Sequence, residues 1–252
     1  MTKTKKITLT ILIAILCAVL ATVAYLDLSG NDTVAIAEEA DSGAPGYPEY
    51  EVKEVGSADE FVSYWNGSAS YTLKLTDDIT LSEVTLNDLT IAMALDLNDH
   101  LLNLSKNIII GSGGHLTLED NATEKTTRQY DGYDNSGNTI QVEITGGCIV
   151  KKSTCIYLSD ENANLTFVSG NIVFGSVEVE KGSFEMSGGT ISCVKSTSPV
   201  KLTYNGSGHF EMSGGTISNN NTSNGSGVSC GTGASFNMSG GTIRDNYSCN
   251  YG

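Results

Sequence analysis

Arginine is almost missing from this chain. Arg128 and Arg244 are its two arginines, and with the lysines they make 14 basic residues against 29 acidic ones, a formal net charge of −15. Residues 1–37 hold three of the lysines and two of the aspartates, so the rest of the chain is more acidic still. A surface of that sign repels phosphate backbones, which sets nucleic acid aside as a partner. At long range it also disfavours anionic polysaccharide relative to cations or neutral glycans. Taken alone, such spread charge is the solubilising surface of an extracellular domain.

Two further absences narrow the field. No pair of cysteines has C-x-x-C spacing: the five that lie beyond the N-terminal apolar segment, Cys148, Cys155, Cys193, Cys230 and Cys249, fall at unrelated places, which argues against a zinc site. Their odd number forbids complete pairing within one chain, and Cys148 could reach Cys155 only across neighbouring bends, so buried free thiols are expected. His100, His115 and His209 are too scattered to form a metal centre, although the first two are close enough to fall on adjacent rungs of a repeat. An amphipathic helical period is also lacking over nearly the whole length. The exception is Ser57-Ala58-Asp59-Glu60, a capping box ahead of Phe61, Val62, Tyr64 and Trp65, which predicts one short helix.

The chief positive feature of the sequence is such a repeat. Phe-x-Met-Ser-Gly-Gly-Thr-Ile begins at Phe184, Phe210 and Phe236, a constant period of 26 residues. A fixed period of that size means one supersecondary unit stacked on its copies. Phe and Met alternate with polar residues, the signature of a half-buried strand. The glycine pair then allows a sharp bend, and a second short strand comes after it around Ile191, Ile217 and Ile243. Two short strands joined by a glycine bend fit a coil of parallel strands, and stacking in register would set Phe on Phe, Met on Met and Ile on Ile. Asn220 and Asn246 each lie three residues after the motif isoleucine and suit a tight turn in which stacked amides form a ladder; Val194 takes that place in the first full copy.

Weaker copies extend upstream. Leu165–Ile172 aligns without a gap, Val142–Ile149 keeps both glycines, and the segments 94–101 and 108–118 look like rungs of other composition. The solenoid is expected to start near Tyr71. On the repeated Phe-x-Met-Ser-Gly-Gly-Thr-Ile with its trailing Asn, and on Leu95-Asp96-Leu97-Asn98-Asp99-His100, which is similar to an early "LDLNGH" rung with Asp99 in place of glycine, residues 50–252 resemble the pectin-lyase-like right-handed parallel β-helices of adhesin-like bacterial and archaeal surface proteins. That resemblance implies an all-β right-handed solenoid and a place outside the cell. It implies no chemistry, because activity in this group varies widely.

The N-terminus agrees with export. Lys3, Lys5 and Lys6 precede an apolar run from Ile7 to Leu26, which reads as a signal peptide or a membrane anchor, with Ala35-Ile36-Ala37 as a small-x-small cleavage site. Positive residues before the run place the solenoid on the outer side. Cys17 lies inside the run behind the bulky Leu16 and is read as an ordinary membrane residue rather than a lipidated one. The expected organisation is therefore a leader or anchor over 1–37, a flexible spacer over 38–56, a capping helix over 57–70 and repeats over 71–252. That helix would plug one end of the coil, with Trp65 in the core. The array is still repeating at Gly252, so the expectation is an incomplete C-terminus.

Lyases and hydrolases on this fold need clustered acids beside a basic group, or paired aspartates. Asp77-Asp78, Asp96 with Asp99, and Glu119-Asp120 are the close acidic sets, and they read as turn or surface residues, so the sequence points away from an enzyme. The expectation is a surface-displayed or secreted β-helix for glycan or cell-surface contact, with a carbohydrate-active enzyme of divergent or missing active site as the alternative. The polar stretch Asn121–Asn138 reads as a loop bulging from one rung. Its Tyr130, Asp131, Tyr133 and Asp134 are the candidate ligand residues: tyrosines can stack on sugar rings, and the aspartates can take hydroxyls or a calcium ion. No other cofactor is expected. The partners expected are an extracellular glycan or surface protein and, through the N-terminal segment, the membrane.

Overall fold

A computed structural model describes residues 50–224 and 227–251, and the N-terminal apolar run lies outside them. Among the described residues no helix is long and apolar enough to cross a membrane. The described residues form a parallel β-solenoid with one short helix. Eight strands form its first sheet, from Val52–Val55 and Thr72–Leu75 at one end to His209–Met212 and Ser235–Met238 at the other, every neighbouring pair parallel.

Register follows from the apolar alternation. One inward row runs Met93, Leu116, Leu165, Phe184, Phe210, Phe236; the next runs Leu73, Leu95, Leu118, Phe167, Met186, Met212, Met238. A one-residue slip would turn both rows to solvent, so the pairing is strongly specified. The phenylalanines stack face to face, with centroids 4.6 Å apart for Phe184–Phe210 and 5.0 Å for Phe210–Phe236. Burying each such side chain contributes about 1.5–3 kcal/mol.

The glycine pair does two separate jobs. A Cβ on Gly214 would sit 2.0 Å from the Ser187 carbonyl oxygen, because the coil below passes directly underneath, whereas Gly215 takes φ +80°, a left-handed conformation. Past this bend the second sheet begins. The long strands Cys148–Leu158 and Asn171–Val179 themselves turn a corner. Their first halves pair in the row of Leu101–Leu104 and Thr190–Ser192, and their second halves in the row of Ile108–Ile110 and Val200–Leu202. Each such coil thus has three faces.

The predicted helix is present as Ala58–Trp65. Ser57 Oγ accepts from the Glu60 amide at 3.3 Å, and the Glu60 carboxylate accepts from Gly56 N at 3.0 Å. Phe61 and Trp65 are buried and stacked within the same core as Val55 and Leu73, and the Trp65 indole donates to the Asn87 carbonyl at 3.1 Å. The solenoid starts earlier than Tyr71: Val52–Val55, inside the stretch read as spacer, pairs with Thr72–Leu75. Of that strand only Val55 is buried, so it carries no alternating apolar signal.

The asparagine ladder is present. Asn220 Oδ1 accepts from Val194 N at 2.8 Å, Asn220 Nδ2 donates to Asn246 Oδ1 at 2.7 Å, and Asn246 Nδ2 donates to the Ile217 carbonyl at 3.0 Å. The left-handed backbone lies one residue earlier than the ladder, in a row of Phe174, Cys193, Asn219 and Asp245 with φ between 52° and 63°. The copy at Val142 also differs from expectation. Gly146, Gly147 and Cys148 do occupy the bend, with Cys148 opposite Asn171, but Thr139–Thr145 belongs to an antiparallel hairpin and His115–Glu119 supplies that coil's first-sheet strand.

Candidate functional site

The polar stretch after Asp120 is not a loose loop. Thr127–Tyr133 and Thr139–Thr145 pair antiparallel over seven residues and form a hairpin that leaves the solenoid at the glycine bend and folds back over the second face. Its root is held by acids. Asp99 accepts from Thr126 N at 2.9 Å, Thr126 Oγ1 at 2.6 Å and the Arg128 guanidinium at 3.2 Å, while Arg128 also donates to the Gly146 carbonyl at 2.9 Å. Partial burial by itself would raise the Asp99 carboxyl, but the hydrogen bonds from Thr126 and Arg128 outweigh it and hold the group below the usual carboxylate range. Buried Asp120 pairs with Lys125 at 2.8 Å and accepts from Asp99 N and Gly147 N. Asp96 accepts from Asn98 N and Asn121 N, and Asp78 from Leu101 N. These acidic residues are therefore occupied with holding backbone.

The underside of the hairpin makes a small apolar cluster of its own. Ile144, Cys148, Val173 and Cys193 are buried there, and Tyr130 meets Phe174 edge-on at 5.7 Å. Burial pushes the Cys148 and Cys193 thiols up to about 11 and raises the Tyr130 phenol, so all three stay protonated at neutral pH. Gly132 is required by the close approach: a Cβ there would sit 2.5 Å from Val142 and 3.1 Å from the Cys193 sulfur. Further along, Tyr133 and Asn219 exchange two hydrogen bonds of 3.1 Å. The tip is closed by Asp134, whose carboxylate accepts from Ser136 N, Asn138 N and Asn138 Nδ2 at 2.8–2.9 Å, which lowers its pKa. Gly137 at the tip lies against the Tyr247 ring.

Two clefts flank this hairpin. The larger, about 660 Å³, is lined on the hairpin side by Asp131 and Tyr133 and on the solenoid side by Phe174, Lys152, Lys195 and Ser196, with Ser153, Cys193 and Thr197 between them. The smaller, about 280 Å³, lies along the stacked Thr190 and Thr216. Phe174, Cys193, Ser153 and Ser196, all in the larger cleft, have φ between 63° and 78°. For a bulky phenylalanine this costs about 1–2 kcal/mol, and such backbone gathers where function constrains it. Lys152 and Lys195 are exposed and have no acidic partner among the described residues; the cleft's acid, Asp131, accepts from Gln141. On an acidic molecule this corner carries local positive charge.

The four candidate residues thus divide. Asp131 and Tyr133 line the larger cleft, whereas Tyr130 faces inward against Phe174 rather than standing free to stack on a sugar, and Asp134 is taken up in closing the turn. The stacked coils add Phe174 and, with nothing in the sequence to mark them, Lys152, Lys195 and Ser196. Phe174 alone carried a signal, since it sits two residues after Ile172 as Cys193 sits after Ile191. His100 and His115 do not come together: His100 faces Asp78 at 3.5 Å and His115 bonds Thr166 at 3.0 Å. No group of three or more metal-binding side chains gathers among the described residues. No protein-family model, no curated protein and no solved structure matches this chain.

Proposed function

We propose that this is a surface-displayed or secreted, non-enzymatic β-solenoid of adhesin-like, pectin-lyase-like kind that binds a glycan, or a glycosylated surface, in the larger cleft beside its hairpin. The coil is taken as right-handed, the hand of about 98% of crossovers between parallel strands. The supporting observation is the make-up of that cleft: two aromatic rings, Tyr133 and Phe174, set among hydroxyls and the ammonium groups of Lys152 and Lys195, which have no acidic partner among the described residues. Rings offer apolar faces to the C–H side of a sugar, and Ser, Thr and Lys supply donors for its hydroxyls, the usual composition of a small-molecule site. Engagement of Asp96, Asp99 and Asp120 with backbone supports binding over hydrolysis or elimination. The N-terminal apolar segment, cleaved or retained as an anchor, would deliver the solenoid to the outside.

The test is a glycan-array and polysaccharide-degradation screen of residues 38–252, with and without calcium. Retention of a glycan that weakens at least tenfold in Tyr133→Ala, with no reducing or unsaturated ends released, is the expected result. Release of product would overturn the non-enzymatic reading, and equal retention by Tyr133→Ala would remove the cleft from it.

A further inference from the structure

The chain has 20 asparagines, and eleven of them have Ser or Thr two residues later with a non-proline residue between, the acceptor pattern for N-linked glycans. Ser and Thr make up 54 of 252 residues, so chance placement would give about four. The structure sorts eight of these asparagines. Asn220 and Asn246 form the ladder, Asn66 Oδ1 accepts from Asn87 N at 2.8 Å, Asn103 and Asn164 donate to Thr80 and to the Asn162 carbonyl, and the Asn121 side chain bonds the Glu119 carboxylate. Their carboxamides are committed to the fold. Asn205 and Asn237 differ: both are exposed, as are Ser207 and Ser239 two residues on, and neither carboxamide has a hydrogen-bond partner among the described residues.

Their positions suit a bulky attachment. Asn205 lies at the tip of a turn with φ +60°, beside Tyr204, which is 73% exposed. Asn237 is on the outward side of Ser235–Met238, in the row of Glu185 and Glu211. The first is at the corner where the chain passes from Val200–Leu202 to the first sheet, the second on the first sheet itself. The hairpin lies over the second face, so sugars at either place leave its clefts open.

We infer that Asn205 and Asn237 are N-glycosylated once the chain is exported, an inference that rests on the outside location already proposed. The Nδ2 nitrogen forms a bond to the anomeric carbon of a lipid-linked oligosaccharide presented by a membrane-bound oligosaccharyltransferase. The bond between that carbon and the lipid phosphate oxygen breaks, the amide gives up one proton, and the lipid phosphate leaves, with no oxidation or reduction. The hydroxyl two residues on, Ser207 or Ser239, belongs to the acceptor pattern, which explains why both partners must be exposed.

The experiment is peptide mass spectrometry on the full chain purified from the outside of its own cells, alongside fractionation of those cells. Sugar mass increments, assigned residue by residue, are expected on Asn205 and Asn237 and not on Asn220 or Asn246. Asn205→Gln and Ser207→Ala should each remove the first increment, and Asn237→Gln the second. Ser207→Ala keeps the asparagine, so its loss of sugar separates acceptor recognition from any effect of removing Asn205. Bare Asn205 and Asn237 on exported protein would overturn the inference alone. Recovery of the chain inside the cell would overturn the export reading and the inference with it.

Discussion

Asn220 is the residue on which one corner of the solenoid depends. It is fully buried, its oxygen takes the amide of Val194 in the coil below, and its nitrogen gives to Asn246 in the coil above. Removing the side chain leaves a buried donor unsatisfied, which costs about 1–3 kcal/mol beyond the lost bond itself. Asn220→Ala should therefore lower the denaturation midpoint clearly. Asn246→Ala should lower it less, because Asn246 is half-buried and water can replace part of what it does. Urea titrations of the two variants check this, and equal losses would refute the ladder as a directional chain of bonds. The position was legible in the sequence as a 26-residue interval between asparagines. The direction of the bonds, and the left-handed residue falling at Asn219 rather than Asn220, were not, since both depend on where the coil below presents its free amide.

The hairpin shows why part of the element structure escaped the sequence. Val142 to Ile149 imitates a repeat, with alternating apolar residues and a glycine pair, because an amphipathic hairpin strand and a solenoid strand share the period of two; only pairing partners tell them apart. The large cleft was illegible for a related reason. Tyr133, Lys152, Phe174 and Lys195 are about twenty residues apart in sequence and meet only because successive coils stack and the hairpin returns across them. The contacts that hold the hairpin also predict its response to acid. The Asp99 carboxyl is depressed below its ordinary 3.8 by its bonds to Thr126 and Arg128, so its contribution is complete above that value and is lost as pH falls through the lower, folded one. The Tyr130 ring signals, set by contact with Phe174, should accordingly stay constant from pH 7 to pH 5 and shift only below about pH 4. In Asp99→Asn the root is already weakened at pH 7 and this acid step should vanish. An unchanged step would assign it to another carboxylate, with Asp134 at the tip the next to replace.

At the scale of the whole molecule, each coil touches only its neighbours apart from the hairpin strap, so stability is distributed along the axis rather than held in one centre. The two ends of the described solenoid differ. At the N-terminal end Phe61 and Trp65 are buried under the first coils, whereas in the last first-sheet strand Phe236 is half-buried and Met238 is 42% exposed. Hydrogen exchange of this chain should therefore be slowest in the coils of Leu116, Leu165 and Phe184 and fastest around Phe236 and Ile243. Trp65→Ala removes a large buried ring and its bond to Asn87, a loss of about 3–5 kcal/mol that falls mainly on Thr72–Leu75 and Ile79–Leu81. The expected map for that variant is symmetrical, with both ends exchanging quickly and the strapped middle still protected. Loss of protection along the entire axis would instead show that the solenoid unfolds as one cooperative unit, and that the helix stabilises every coil rather than the end it covers.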